Sequence, residues 1–271
     1  MPTFHGSQDT EHAPASGACS GRSAGTRCHP DERPSVYQDH PTAPPVNHLL
    51  DALPDEVGQR IASDLEIVEF GLGDVLYESG QRLTHVHFPV DCIVSLLYAM
   101  ADGATAEIGM IGAEGVVGIA LFMGGETMPS RAVAQCAGRA LRMPARALQE
   151  EFRRGGPFQA ALLRFTQTLL TQMSQTAACN RLHPTDQRLC RWLLLSRDRL
   201  QSDEMLLTQE LIAGMLGVRR EGVSVAAGAL QTAGLIRYAR GRITILDRAG
   251  LEARACECYQ SVRDACSAPV D

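Results

Sequence analysis

The spacing of apolar residues changes character once along this chain, and that change constrains its fold more than any other feature. Between Ile67 and Met143 apolar and β-branched residues come in short runs: Ile67 to Phe70, Val75 to Tyr77, Val86 to Phe88, Ile93 to Tyr98, Glu107 to Ile111 and Arg139 to Met143. Glycines such as Gly71, Gly80, Gly103, Gly112 and Gly124 separate them. Frequent short strands with turn residues between them predict an antiparallel sandwich or barrel. After Pro144 the period becomes helical. Ala145 to Arg153 reads as a short helix and Gly155-Gly156-Pro157 as a break. Phe158 to about Asn180 then reads as a long helix with Leu162, Phe165, Leu169 and Met173 three or four residues apart, and with Leu163 and Leu170 widening the stripe. A helix of about 22 residues is about 33 Å long. That is more than a small β domain covers on one face, so a second copy of the same helix is the expected partner.

Residues 1 to about 46 are rich in Pro, Gly, Ser, Ala and His with no periodic apolar pattern, and are expected to form a tail without a core. Leu49, Leu53, Val57, Ile61 and Leu65 then fall at helical spacing, with Pro54 near the start of a short amphipathic helix. No apolar run flanked by positive charge opens the chain, and no stretch approaches the roughly 18 apolar residues of a membrane span. The expected location is therefore cytoplasmic, with no membrane partner and with the nine cysteines reduced.

The formal net charge of −6 requires any nucleic-acid partner to be met by a local patch. All 25 basic residues are arginine, and the patch lies near the C-terminus. Thr208 is a good N-cap, Glu210 stands in the first turn, and Leu211, Ile212 and Leu216 supply a buried face. Gly217 provides a tight turn, and Arg219 or Arg220 opens a second helix whose Val223, Ala227 and Leu230 face inward. Arg220, Glu221, Ser224 and Val225 fall on its opposite face. Two alternating runs follow, Leu235 to Tyr238 and Arg242 to Ile245, joined by Ala239-Arg240-Gly241 as a hairpin wing. From Arg219 to Arg242 five arginines face one acid, Glu221, a local net of +4. A recognition helix puts its first turn against base edges, where Arg220 suits guanine and Glu221 suits cytosine. The expected DNA-binding set is Thr208, Arg219, Arg220, Glu221, Ser224, Val225, Arg240 and Arg242.

These residues resemble the Crp/Fnr family of bacterial transcription regulators over about Leu53 to Asp247, most closely from Thr208-Gln209-Glu210-Leu211-Ile212-Ala213 through Gly217-Val218-Arg219-Arg220-Glu221-Gly222-Val223-Ser224. The resemblance implies base reading by Arg220 and Glu221. A further arginine usual in that family is replaced here by Val225. The sensor half resembles the family's cyclic-nucleotide fold in its glycine spacing and in Glu114-Gly115-Val116-Val117-Gly118-Ile119-Ala120-Leu121. The resemblance implies an effector site around Gly118, Ser130 and Arg131, with Arg131 as the phosphate arginine. Ile119 stands where cAMP binders of the family carry a glutamate for the ribose hydroxyl. A hydroxyl left unpaired costs of order 1 to 3 kcal/mol, so cAMP is not expected to bind in the usual way, and no cofactor is assigned.

The α+β architecture expected is an N-terminal double-stranded β-helix (a jelly-roll-like β-roll), a long dimerisation helix and a C-terminal winged helix-turn-helix. Its bounds are a tail at 1–46, a cyclic-nucleotide-binding-like sensor at 47–156, the dimerisation helix at 157–182, the DNA-binding domain at 183–250 and a C-terminal helix or tail at 251–271. The expected function is binding of a palindromic operator on double-stranded DNA as a homodimer, with RNA polymerase as a further partner and no catalytic residues. Two alternatives stand beside it. One is a cupin-like metal enzyme or metal sensor using His85, His87 and Asp91, against the simpler expectation of solvent-facing histidines on an edge strand. The other is a protein of the same fold that has lost DNA binding. Iron-sulfur sensors of the family use clustered cysteines. Cys19, Cys28, Cys92 and Cys136 lack that spacing, so ordinary thiols are expected. Cys256 and Cys258, near Cys266, form a C-x-C whose two ligands do not complete a tetrahedral site, so no metal site is assigned.

Overall fold

The computed structural model describes residues 46–267. The expected tail up to residue 45, with Cys19 and Cys28, lies outside the described residues. Two short helices come first where one was expected, α1 (His48–Asp51) and α2 (Asp55–Ile61). Asn47 caps α1 by accepting the Leu50 amide, and Pro54 opens α2, where a missing amide is harmless.

Seven strands follow: β1 (Glu66–Phe70), β2 (Val75–Tyr77), β3 (His85–Pro89), β4 (Val94–Ala99), β5 (Thr105–Ile111), β6 (Arg131–Ala134) and β7 (Gly138–Pro144). They pair antiparallel in two sheets, ordered β1-β7-β3 and β2-β6-β4-β5. The two sheets enclose Val86, Phe88, Val94, Leu96, Ile111 and Met143. This is the jelly-roll-like β-roll the glycine-punctuated runs predict. Strand β6 was not among the expected strands, yet it joins β2 to β4. Its short Arg-Ala-Val-Ala run carries too little apolar bulk to stand out from the loop before it.

The helical half contains α3 (Ala145–Arg154), α4 (Pro157–Leu182) and α5 (Thr185–Leu200), then β8 (Glu204–Leu206), α6 (Gln209–Leu216), α7 (Arg220–Thr232), β9 (Ile236–Ala239), β10 (Arg242–Ile245), α8 (Arg248–Arg254) and α9 (Cys258–Ser267). The main apolar stripe of α4 is not free for a second copy. Phe158, Leu162, Phe165 and Leu169 are buried in the β-roll core of the same chain. Gln172, which the sequence places among the polar residues of α4, is buried too, accepting from the Met110 amide and donating to the Met110 carbonyl at 3.0 Å each. Helix α9 covers a second flank, where Thr168 Oγ1 donates to the Ala265 carbonyl. What α4 leaves exposed is a narrower seam, Ala160, Leu163, Gln167, Leu170, Ser174 and Ala177. Its alternating spacing of three and four is that of a coiled-coil face.

The β-roll and the C-terminal half share a core. Ile93, Leu97, Met110 and Val133 of the β-roll pack with Trp192, Leu193 and Met215 of the helices. Thr105 Oγ1 donates to the Gly214 carbonyl at 3.2 Å. A Cβ on Gly217 would stand 3.1 Å from Ala106 Cβ. A polar chain also runs through this contact. Glu107 Oε1 accepts from Trp192 Nε1 at 3.1 Å, and Gln135 Nε2 donates to Ser196 Oγ at 2.9 Å. Between them Ser95 Oγ lies 2.6 Å from Glu107 Oε2 and 3.1 Å from Gln135 Oε1. One hydroxyl has one proton and cannot serve both oxygens. A neutral Glu107 resolves this by donating to Ser95, which then donates to Gln135.

The electrostatics agree with that assignment. Burial pushes the Glu107 carboxyl up from 4.5 to about 7, against the opposing hydrogen bonds of Ser95 and Trp192 and the charges of Arg191 and Arg199. The folded chain therefore keeps this proton up to about pH 7, whereas the unfolded chain releases it near pH 4.5. Between those values the folded state binds more protons, so stability falls as pH rises. The contribution lost is about 3 kcal/mol and is gone above about pH 7. Glu107→Gln, a permanent mimic of the neutral acid, is expected to remove this part of the slope. Urea unfolding of both proteins at about pH 5 and about pH 8 checks it. Equal slopes would show that the acid is ionised in the folded chain.

Candidate nucleic-acid interface

Thr208 Oγ1 accepts from the Leu211 amide at 3.1 Å and so starts α6 as its N-cap. Gly217 ends α6 at φ 62°, a left-handed conformation that favours glycine. Arg219 is extended at the N-cap of α7, and Arg220 begins the helix. Val223, Ala226, Ala227 and Leu230 of α7 are buried, while Arg220, Glu221, Ser224 and Val225 are exposed on the opposite face. Val225 is 74% exposed.

The wing is a three-stranded sheet ordered β8-β10-β9. Strand β8 was not expected. Arg240 (φ 53°) and Gly241 (φ 74°) form the two-residue turn between β9 and β10, with both residues left-handed as a tight hairpin requires. An open cleft lies between wing and helices, lined by Thr208, Gln209, Glu210, Arg220, Tyr238 and Arg240. Gln209 is the residue sequence reasoning missed. Its Oε1 accepts from Ser224 Oγ at 2.8 Å and lies 3.5 Å from Arg220 Nε, so it ties the start of α6 to the exposed face of α7. Its place directly after the cap was the available signal. Tyr238 Oη donates to the Leu207 carbonyl and braces the wing.

Seven of the eight DNA-binding candidates lie on or beside this surface: Thr208, Arg219, Arg220, Glu221, Ser224, Val225 and Arg240. Arg242 stands differently. Its Nη1 is paired with Glu204 Oε2 on β8 at 2.7 Å. The count of five arginines against one acid omitted Glu204, because β8 was not expected.

In the β-roll, Gly118 at φ 103° precedes a 3-10 turn that begins with Ile119. Ser130 and Arg131 enter β6, and Arg131 is ion-paired with Glu78 at 3.3 Å. The buried Tyr77 and Ser130 hydroxyls and Arg131 Nε lack a well-formed hydrogen bond. Burial pushes the Tyr77 hydroxyl up to about 12, so it stays neutral.

The cupin-like alternative finds no support in this geometry. His85 and His87 share a face of β3, but Asp91 is taken by Arg139, whose guanidinium lies 2.6 Å away. The one group of three or more ligating side chains among the described residues lies elsewhere. Nor is His87 solvent-facing. It packs edge-on against Phe70, and burial, with smaller effects of His85 and Arg142, lowers it to about 4.

Two family models match the chain in the order the fold requires, the cyclic nucleotide-binding domain over residues 67–154 and the Crp-like helix-turn-helix domain over residues 187–254. The chain is a Crp/Fnr-type transcription regulator. Its fold is that of solved members of the group. FixK2 from Bradyrhizobium japonicum superposes with a TM-score of 0.62 at 18% identity, over 71% of this chain and 98% of that one. TTHB099, a CRP-family transcriptional regulator from Thermus thermophilus, gives 0.60 at 20% identity, over 69% and 96%. CLP, a c-di-GMP responsive global regulator from Xanthomonas campestris, gives 0.60 at 15% identity, over 71% and 99%. No curated protein matches this regulator. Among the described residues no helix is long and apolar enough to cross a membrane.

Proposed function

We propose that this regulator binds a palindromic operator as a homodimer, reading bases with the first turns of α7 and gripping phosphates with its wing. The exposed face of α7 beside the arginine-tipped turn carries the reading: it presents Arg220, Glu221, Ser224 and Val225 together, with Arg240 across the cleft. Arg220 is assigned to guanine and Glu221 to cytosine, and Gln209 holds Arg220 and Ser224 in place. The exposed Val225 suits a thymine methyl group, an apolar contact that arginine would not make. Thr208, Arg219 and Arg240 are assigned to the backbone, and Arg242 to the same role once released from Glu204. The seam on α4 pairs the two copies.

The β-roll responds to a small polar effector held near Gly118, Ser130 and Arg131, where Tyr77 and Ser130 offer buried hydroxyls. cAMP is not that effector in the usual way: Ile119 offers no acceptor for a ribose hydroxyl, and Glu78 already occupies Arg131. The regulator acts in the cytoplasm by binding rather than catalysis, with RNA polymerase as its partner on the promoter.

Selection of genomic fragments by the purified protein, with and without cAMP, tests this reading. The expected result is an enriched palindrome that is indifferent to cAMP. Arg220→Ala is expected to lose about 1–3 kcal/mol at one base position of each half-site and to relax its sequence, whereas Arg240→Ala weakens all sequences alike. Uniform loss in both variants would remove Arg220 from base reading.

A further inference from the structure

The C-x-C near the end of the chain offers two thiols, and the tertiary structure brings two more ligands to it. Cys179 and His183 stand one helical turn apart at the end of α4, and Cys256 in the loop after α8 and Cys258 at the start of α9 stand against them. The four ligand atoms, three Sγ and one imidazole nitrogen, all lie within 4.8 Å of one another. Cys179 Sγ is 3.5 Å from Cys256 Sγ, and Cys258 Sγ is 3.5 Å from His183 Nδ1. Tetrahedral zinc, with bonds of about 2.3 Å to sulfur and about 2.0–2.1 Å to nitrogen, sets sulfurs about 3.8 Å apart and sulfur about 3.6 Å from nitrogen. The Cys179–Cys256 and Cys258–His183 separations are nearly at those values already, and none of the four atoms is more than 4.8 Å from another. A [4Fe–4S] cluster binds each ligand to a different iron and a [2Fe–2S] cluster spreads its four ligands over two irons, so both need a wider set.

The surroundings are those of a thiolate metal centre. His183 turns Nδ1 inward, while its Nε2 lies 3.4 Å from the Glu257 carboxylate. Such a carboxylate fixes the tautomer that leaves the other nitrogen free to bind metal. Gln175 Nε2 donates to Cys258 Sγ at 3.0 Å. The three cysteines are buried and form a cluster of their own. Arg188 and Arg191, near the start of α5, are buried beside them, and neither is within salt-bridge reach of a carboxylate among the described residues. The Nε atom of each lacks a hydrogen-bond partner. A divalent ion held by three thiolates and a neutral imidazole carries a net negative charge, the counter-charge these two buried arginines lack.

We propose that Cys179, His183, Cys256 and Cys258 bind one zinc ion, a closed structural site that fastens the C-terminal segment across the α4–α5 junction at His183-Pro184. Four protein ligands leave no open position, so the ion holds structure rather than performing chemistry.

The test uses the full chain, purified under reducing conditions without chelator. Elemental analysis is expected to find one equivalent of zinc per chain. Cobalt(II) added to the stripped protein is expected to give thiolate charge-transfer absorption and the intense visible bands of a tetrahedral ion. Glu257→Gln, a change at an exposed side chain that leaves all four ligands in place, is expected to weaken cobalt binding about 10-fold. The Cys256→Ser/Cys258→Ser double variant is expected to abolish the absorption. Should that variant fail to fold, the wild-type spectrum and Glu257→Gln still decide. Absence of cobalt absorption in the reduced protein, a Cys179–Cys256 disulfide in its place, thiolate absorption that persists in the double variant, or an unchanged cobalt affinity in Glu257→Gln overturns the proposal. The readout is independent of DNA binding.

Discussion

Trp192→Ala is expected to destabilise the protein by about 3–5 kcal/mol, the range for truncating a large buried side chain. Trp192 is 1% exposed and sits in the core shared by the β-roll and the DNA-binding half. Its indole is also the donor to Glu107 Oε1. Truncation leaves both a cavity and a buried oxygen without a partner. Trp192→Phe reduces the first effect and keeps the second. It keeps a six-membered aromatic ring and loses the pyrrole ring with its N–H, so the cavity is much smaller while the oxygen is still unpaired, and about 1–3 kcal/mol of the loss is expected to remain. Denaturant unfolding followed by circular dichroism measures both variants. Trp192 is the single tryptophan of the chain, so wild-type fluorescence reports this contact directly. A loss below about 1 kcal/mol for the alanine variant would mean that the two halves are not packed together in solution.

The second large effect concerns assembly. Leu163 and Leu170 are 45% and 49% exposed, seven residues apart on the seam of α4. Aspartate at both positions places charges where two copies of the helix would meet, while disturbing little within one chain. The expected result is a monomer in sedimentation, with chain stability changed by no more than about 0.5 kcal/mol per site. Loss of simultaneous engagement of two half-sites is expected to reduce operator affinity by about 10²- to 10⁴-fold. A variant that stays dimeric would place the interface elsewhere. The same double substitution distinguishes the seam from the stripe of Leu162, Phe165 and Leu169. Those residues are buried within the chain, so charges there would unfold it instead.

Both predictions depend on contacts that periodicity alone leaves undivided. The apolar residues of α4 read as one broad stripe, and its width is the sum of two faces with different partners. The β-roll takes the larger face and leaves the narrower seam. In the wing the local reading was closer, because Thr208 as cap, Gly217 as left-handed turn and Arg240-Gly241 as hairpin turn each express a preference of the backbone at that residue. The ion pair of Arg242 was hidden for the opposite reason: its partner Glu204 belongs to a strand of three residues, too short to show an alternation of its own.

The order of the parts is written in the chain itself: a β domain, a long helix, a capped helix-turn-helix and a basic wing. Each is encoded by side-chain period, caps and turn residues within a few positions of one another. Folding in three dimensions was needed to settle which face of α4 is free and that Glu107 meets Trp192 across 85 residues. It also brought Cys179 beside Cys256 across 77 residues. The physical reason is the same in each case. A hydrogen bond, an ion pair or a ligand set depends on distance in space, and two residues so far apart in sequence leave no periodic trace of their meeting.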